Sequence, residues 1–207
     1  MLLKVRSYDF AKEFADCAAR ILHKTDSYWV RKVHDKRGRW YLVKVTSFQL
    51  YEFLNRPLEF LLQAVESFPN EFLRGVFTAE GNPVLSIQQR RGPRLEVGLT
   101  VSNSDYELMQ LLNRLLTNSA LHPGAIRLNT RAGTRTNLGI ATNDVWVMNL
   151  SRLDEVDAFA RTIGFADAVK QDKLEDAIRL IRDIGHRAAA AQWTERYRMV
   201  NGIWIKL

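Results

Sequence analysis

The segment from Glu71 to Gly81, Glu-Phe-Leu-Arg-Gly-Val-Phe-Thr-Ala-Glu-Gly, constrains the fold of this chain more than any other. Read as a helix, it places Gly75 and Ala79 four residues apart and so on one face. Leu73, Val76 and Phe77 cover the adjoining faces. Two small residues at that spacing let a second helix approach until the backbones nearly touch. The segment closes with a carboxylate, Glu80, and then Gly81, a residue that commonly stops a helix. An acid in the last turn faces the negative end of the helix dipole, which is unfavourable, and a divalent cation would remove that penalty. The spacing therefore predicts a close-packing helix that delivers one acid to a metal. The plainer alternative is a core helix with a glycine C-cap.

The 207 residues suffice for one large domain or two small ones. Hydrophobic content of 46% with 26% charged residues is that of a globular chain, and no apolar run approaches the roughly 20 residues of a membrane span. The opening residues Met1–Phe10 do not read as a signal peptide. A single cysteine, Cys17, rules out an internal disulfide and a cysteine zinc cluster, and favours a reducing, cytoplasmic setting. The net charge of +7 points to a polyanionic partner, most simply nucleic acid. His23, His34, His122 and His186 have no metal-ligand spacing, and no nucleophile elbow or phosphate loop occurs.

Taken in order, the chain reads as a strand over Leu2–Arg6, then a helix capped by Ser7 with Phe10, Phe14, Cys17, Ala18, Ile21 and Leu22 on its apolar side. Strands at Tyr28–His34 and Arg39–Thr46 form a hairpin, and Ser47 opens a helix that breaks near Pro57 and ends near Ser67. After the central helix, which Pro69 starts, strands are expected at Val84–Arg90 and Arg94–Val101. A capping box from Ser104 to Glu107 begins the next helix. Strands at Ala125–Arg131 and Asp144–Leu150 follow, and then a helix capped by Ser151 and closed by Gly164. From Pro69 onward the order is α-β-β-α-β-β-α. The first seventy residues repeat its end: Leu3–Phe10 aligns on Leu99–Tyr106 with an offset of 96, and Ser47 matches Ser151 with an offset of 104. Projected back, the counterpart of Glu80 falls before residue 1. The expected organisation is a partial β-α-β-β-α repeat over 1–68, a complete αββαββα unit over 69–170, and a helix-and-strand extension over 171–207 that braces the fold.

Leu73 to Gly81 resembles, position by position, the LAGLIDADG motif of homing endonucleases. Gly75, Ala79, Glu80 and Gly81 fall on its small, small, acidic and glycine positions, while Arg74 and Thr78 depart from its first alanine and first aspartate. Val101–Leu108, Ile163-Gly164-Phe165 followed by Lys170, and Ser47–Leu54 are also similar to the archaeal, intron-encoded, two-repeat members. The resemblance implies an α+β fold with a saddle-shaped antiparallel sheet, here without the first motif helix. It also implies Mg²⁺-dependent cleavage of double-stranded DNA at a long site. In such enzymes two motif helices pack together and each gives one acid. Glu80 would be one, with the Gly81 carbonyl as a further metal ligand, and Arg6 lies where a basic active-site residue often stands. The family's lysine after the motif is missing, since Asn82 and Pro83 stand there.

The strands point the same way. Ser86, Gln88 and Arg90 alternate with Leu85 and Ile87, and Arg94, Glu96 and Thr100 alternate with Leu95, Val97 and Leu99. Arg127, Asn129 and Arg131 continue the polar face, and the first hairpin adds Arg31, Arg37, Arg39 and Lys44. Such a face suits phosphate and base-edge contacts with duplex DNA, the plain alternative being a solvated surface. Three readings compete: an endonuclease completed by a second copy or by a separately encoded first half, a degenerate descendant that binds DNA or intron RNA without cutting, and a basic regulator that only binds.

Overall fold

The computed structural model describes every residue except Arg37, Arg91, Asn137, Leu138 and Asn201. Two compact units are present, Met1–Phe68 with Ala166–Ala168, and Pro69–Phe165 with Val169–Leu207.

The first unit contains β1 (Leu2–Val5), α1 (Tyr8–Ile21), β2 (Val30–Asp35), β3 (Gly38–Lys44), α2 (Phe48–Leu54) and α3 (Leu58–Ser67). Its antiparallel sheet has the order β1-β3-β2. The Ser7 and Ser47 side chains cap α1 and α2 by accepting from the amides of Phe10 and Leu50. The core is smaller than the sequence pattern suggests. Ala11, Ala15 and Ala18 pack on Val43, Val45 and Leu50, with Phe14 and Leu22 only partly buried around them. Ile21, expected inward, is exposed. Three short strands cover only a narrow strip of helix, and alanine is what permits close approach along it.

The second unit contains α4 (Pro69–Glu80), β4 (Gly81–Gln88), β5 (Arg94–Asn103), α5 (Tyr106–Asn118), β6 (Arg127–Thr130), a small hairpin of β7 (Arg135–Thr136) and β8 (Gly139–Ile140), β9 (Val145–Leu150), α6 (Leu153–Thr162), α7 (Ala168–Arg196), β10 (Tyr197–Val200) and β11 (Ile203–Lys206). Its main sheet is antiparallel in the order β4-β5-β9-β6. Along β5 the alternation holds: Leu95, Val97, Leu99 and Val101 are buried, and Arg94, Glu96 and Thr100 are not. Phe77 of α4 lies 4.7 Å from Phe159 of α6, and Phe159 lies 5.7 Å from Phe165. Leu73, Met109, Leu112, Leu116, Met148 and Leu174 are also fully buried.

Several local expectations are corrected. Asp105, not Ser104, caps α5 by accepting from the Leu108 amide. Arg152 stands at the N-cap of α6 and makes no side-chain cap bond, so Ser151 does not cap it. The expected helix-and-strand extension is a helix followed by a two-stranded hairpin: α7 begins at Ala168, breaks at Gly185 (φ 75°, ψ 160°) and stops at Arg196, and Tyr197 starts the hairpin. The hairpin is held by Trp204, whose indole N–H donates to the Leu85 carbonyl at 2.9 Å, and by Tyr197, whose hydroxyl donates to Asp176 at 2.7 Å. Those are long-range bonds that no local pattern announces.

Candidate active site and nucleic-acid face

The motif helix α4 is fixed by one face and open on another. Leu73, Phe77 and Thr78 are buried, while Ala79 and Glu80 are exposed. A Cβ placed on Gly75 would meet nothing within 4 Å. The small-residue face is therefore accessible in this chain, with Glu80 at its end.

Gly81 plays a different part from a helix stop. It is not among the glycines with positive φ, and it is the first residue of β4, paired with Val101. A Cβ there would lie 2.7 Å from the Phe77 carbonyl oxygen and 2.9 Å from the Phe77 Cα. Close approach of strand to helix, not a left-handed turn, requires glycine at this point. The helix thus passes directly into the sheet, and the acid stands at the junction.

Lys170 closes that junction. Its ammonium donates to the carbonyls of Thr78 at 2.8 Å and of Gly81 at 2.7 Å. The Thr78 hydroxyl donates back to Arg74 O at 2.7 Å. The lysine is delivered by the α6–α7 turn, where Gly164 takes a left-handed conformation (φ 64°). Gln171 ties the turn, accepting from the Phe165 amide at 2.8 Å and donating to Ala160 O at 2.9 Å.

The polar sheet face assembles as the alternation predicts. Ser86 stands opposite Glu96 and Gln88 opposite Arg94, and Gln88 donates to the Ser86 hydroxyl at 3.1 Å. Arg94 lies 3.4 Å from Glu96. Thr100 pairs with Asn149 of β9. In its hydrogen-bonding orientation the Asn149 amide donates to Thr100 Oγ1 at 2.8 Å and accepts from Arg127 at 3.3 Å. Strand β6 ends at Thr130 and carries a register shift between Leu128 and Thr130, so Asn129 sits on a bulge, with Arg131 exposed beyond it. Arg90 is exposed past the end of β4.

In the first unit the basic residues divide. Arg31 pairs with Leu42 and Lys44 with Leu2, so Arg31 and Lys44 share the sheet face opposite α1. Arg39 pairs with His34 and alternates with Trp40, which puts it on the same side as Tyr41 and Val43. Arg37 lies outside the described residues. On the open face Asp35 accepts from Lys4 at 2.7 Å and from the Trp40 indole at 2.9 Å. Arg6 stacks 4.9 Å from the Trp40 ring centre.

Among solved structures, the chain is similar to that of I-DmoI in complex with DNA and Ca, with 18% identity, coverage of 84% of this chain and 81% of that one, and a TM-score of 0.50. The fold is that of a LAGLIDADG homing endonuclease. An archaeal intron-encoded homing endonuclease, I-Vdi141I, complexed with DNA, matches at 15% identity over 57% of this chain and 72% of that one, with a TM-score of 0.40. Among curated proteins, the uncharacterized protein MJ0398 of Methanocaldococcus jannaschii is 27% identical over 178 residues, 84% of this chain. The chain spans 60% of the length of that relative. No family model matches the chain.

A homing-endonuclease fold raises the question of a metal, and this chain's residues alone do not fit one. Among the described residues no group of three or more His, Cys, Asp or Glu side chains could hold an ion. Hard divalent cations want about six oxygen ligands. Glu80 offers one carboxylate, and the Gly81 carbonyl is engaged by Lys170. In the sequence Lys170 stands out only within a stretch similar to the family, because its bonds to Thr78 and Gly81 span 92 and 89 residues. Asn149 is not among the expected face residues, although its place between Met148 and Leu150 on β9 carries the alternation that marks a sheet face. No helix among the described residues is long and apolar enough to cross a membrane.

Proposed function

We propose that this chain is a component of a site-specific endonuclease that cuts double-stranded DNA at a long target site. Glu80 is one catalytic carboxylate, and the other comes from a second motif helix, supplied by another copy of the chain or by a separately encoded first half. The observation that carries this reading is the junction itself. Glu80 is exposed at the end of a helix whose Gly75–Ala79 face admits a neighbour, and it directly precedes the strand that opens the polar sheet face.

The residues divide the work by position. Ser86, Gln88, Arg94, Glu96, Thr100 and Arg127 share one sheet surface of donors and acceptors suited to base edges and phosphates. Arg90, Asn129 and Arg131 extend it at the strand ends, and Arg31 and Lys44 form the corresponding surface of the first unit. Gly75 and Ala79 receive the second helix, which brings the second acid beside Glu80. Mg²⁺ is the cofactor of this reading: Glu80 would hold it together with the second carboxylate, and the ion would supply Lewis-acid chemistry there.

A binding-only reading, with DNA or intron RNA as ligand, is favoured by one observation: the chain offers a single motif acid and no complete metal site among its described residues. One experiment separates the two. Purified chain, alone and with a polypeptide carrying a first motif helix, is incubated with Mg²⁺ and a plasmid library of randomised sites, in parallel with Glu80→Gln. The endonuclease reading expects nicking or cutting that Glu80→Gln abolishes while DNA affinity stays within about twofold, since the amide keeps shape and loses only charge. Cleavage at a near-normal rate in Glu80→Gln removes Glu80 from the active site.

A further inference from the structure

A carboxylate in the last turn of a helix is opposed by the carbonyl ends around it, and Glu80 stands there. A divalent cation is one remedy, but the structure holds another. The Lys170 ammonium bonds the carbonyls of Thr78 and Gly81, the two acceptors that bracket Ala79 and Glu80 in the chain. A positive charge at these carbonyls offsets the negative helix end that Glu80 would otherwise meet without compensation.

The surroundings fix this lysine in place. Its Nζ lies 5.6 Å from the Phe165 ring centre, and Gln171 beside it bonds Phe165 of the turn and Ala160 of α6 through the two ends of its amide. On the other side, the Thr78 hydroxyl bond and the Gly81–Phe77 contact leave the helix end little freedom. The backbone on both sides of Glu80 is thus held by independent contacts, while the carboxylate itself stays exposed. This is the arrangement expected of a group that must be aimed, not buried.

We infer that Lys170 is the positioning residue for Glu80 and the resident cation of the motif-helix end. Its ammonium takes the place beside the carbonyls that a divalent ion would otherwise fill, so the chain alone holds Glu80 in place and binds a metal poorly. Recruitment of metal then depends on the second carboxylate, which makes assembly with the second helix the step that loads the site.

The inference rests on Glu80 being the motif acid, but it is tested without DNA and without cleavage, so either can fail alone. The probe is Mn²⁺, read by paramagnetic broadening of the Ala79–Asn82 amides, together with amide hydrogen exchange at the same positions. The wild-type chain should show little site broadening at about 1 mM Mn²⁺. In Lys170→Met the affinity should rise about tenfold or more, and Gly81 and Asn82 should exchange about tenfold faster. Adding Glu80→Gln to Lys170→Met should remove the Mn²⁺ effect, and Lys170→Arg, which keeps the charge, should resemble wild type. Submillimolar Mn²⁺ binding at Glu80 in the wild type overturns the inference. So does a Lys170→Met chain with unchanged exchange and unchanged Mn²⁺ response. Should Lys170→Met not fold, Lys170→Gln is read in the same way: faster exchange at Gly81 and Asn82 upholds the inference, and unchanged exchange there, or tight Mn²⁺ binding in the wild type or Lys170→Arg, overturns it.

Discussion

Gly75 offers an unusually clean test, because the chain alone and the assembled state respond to it with opposite sign. It lies inside α4, Pro69–Glu80, and a Cβ there would meet nothing within 4 Å. Gly75→Ala therefore carries no steric cost in the isolated chain and gains helix propensity worth roughly 0.5–1 kcal/mol. For a chain of this size that is a rise in melting temperature of about 1–4 °C. In a complex where a second helix packs on this face, the same methyl holds the backbones apart, and Gly75→Leu does so more strongly. Association should weaken by about tenfold for Gly75→Ala and be lost for Gly75→Leu, as overpacking a close contact costs roughly 1–3 kcal/mol. The assay is a thermal melt at low and high protein concentration, paired with sedimentation velocity, with and without a first-half polypeptide. Two results would refute the reasoning. Destabilisation of the dilute monomer by Gly75→Ala would mean that the face is already covered within the chain. A wild-type chain that stays monomeric at all concentrations and ignores an added first half would mean that α4 serves only as core.

Phe77→Ala removes a fully buried ring from contact with Phe159 and should cost about 3–5 kcal/mol in urea unfolding; a loss below about 1 kcal/mol would show that the ring is not part of the core. Burial and the hydrogen bond to Asp176 both push the Tyr197 phenol above its ordinary value of 10.0, so the folded state stays protonated where the unfolded state ionises. Its stabilising effect is whole below pH 10 and falls as pH rises beyond it, and Tyr197→Phe should flatten that alkaline loss when unfolding is followed against pH. DNA affinity should drop roughly 10³-fold or more between about 50 and 200 mM salt, because Arg and Lys contacts displace counterions from phosphates; a nearly flat response would remove the basic faces from the binding surface.

Much of the second unit can be read locally. The β5 alternation follows from the two-residue period of a strand, and a sheet buried on one side enforces it, as Leu95, Val97 and Leu99 show. Helix ends are less legible, because neighbouring hydroxyls and carboxylates compete to cap: Asp105 displaces Ser104, and Ser151 yields to an uncapped Arg152. The inward face of α1 departs from its apolar pattern for a different reason. Apolar periodicity ranks large side chains first, but a helix lying close on a three-stranded sheet buries its alanines.

By itself the sequence determined the order of the main elements, the motif helix with its small face and terminal acid, and the polar side of β4 and β5, since all of these depend on residues a few positions apart. The tertiary structure alone decided what surrounds the acid. The charge at the helix end is compensated by Lys170, whose ammonium bonds the Gly81 carbonyl 89 residues earlier in the chain. It also decided which basic residues share a face, placing Arg31 and Lys44 on one side and Arg39 on the other through hairpin register. Those outcomes depend on pairing and packing between distant segments, where a shift of one residue reverses a side chain's direction, and no local pattern encodes them.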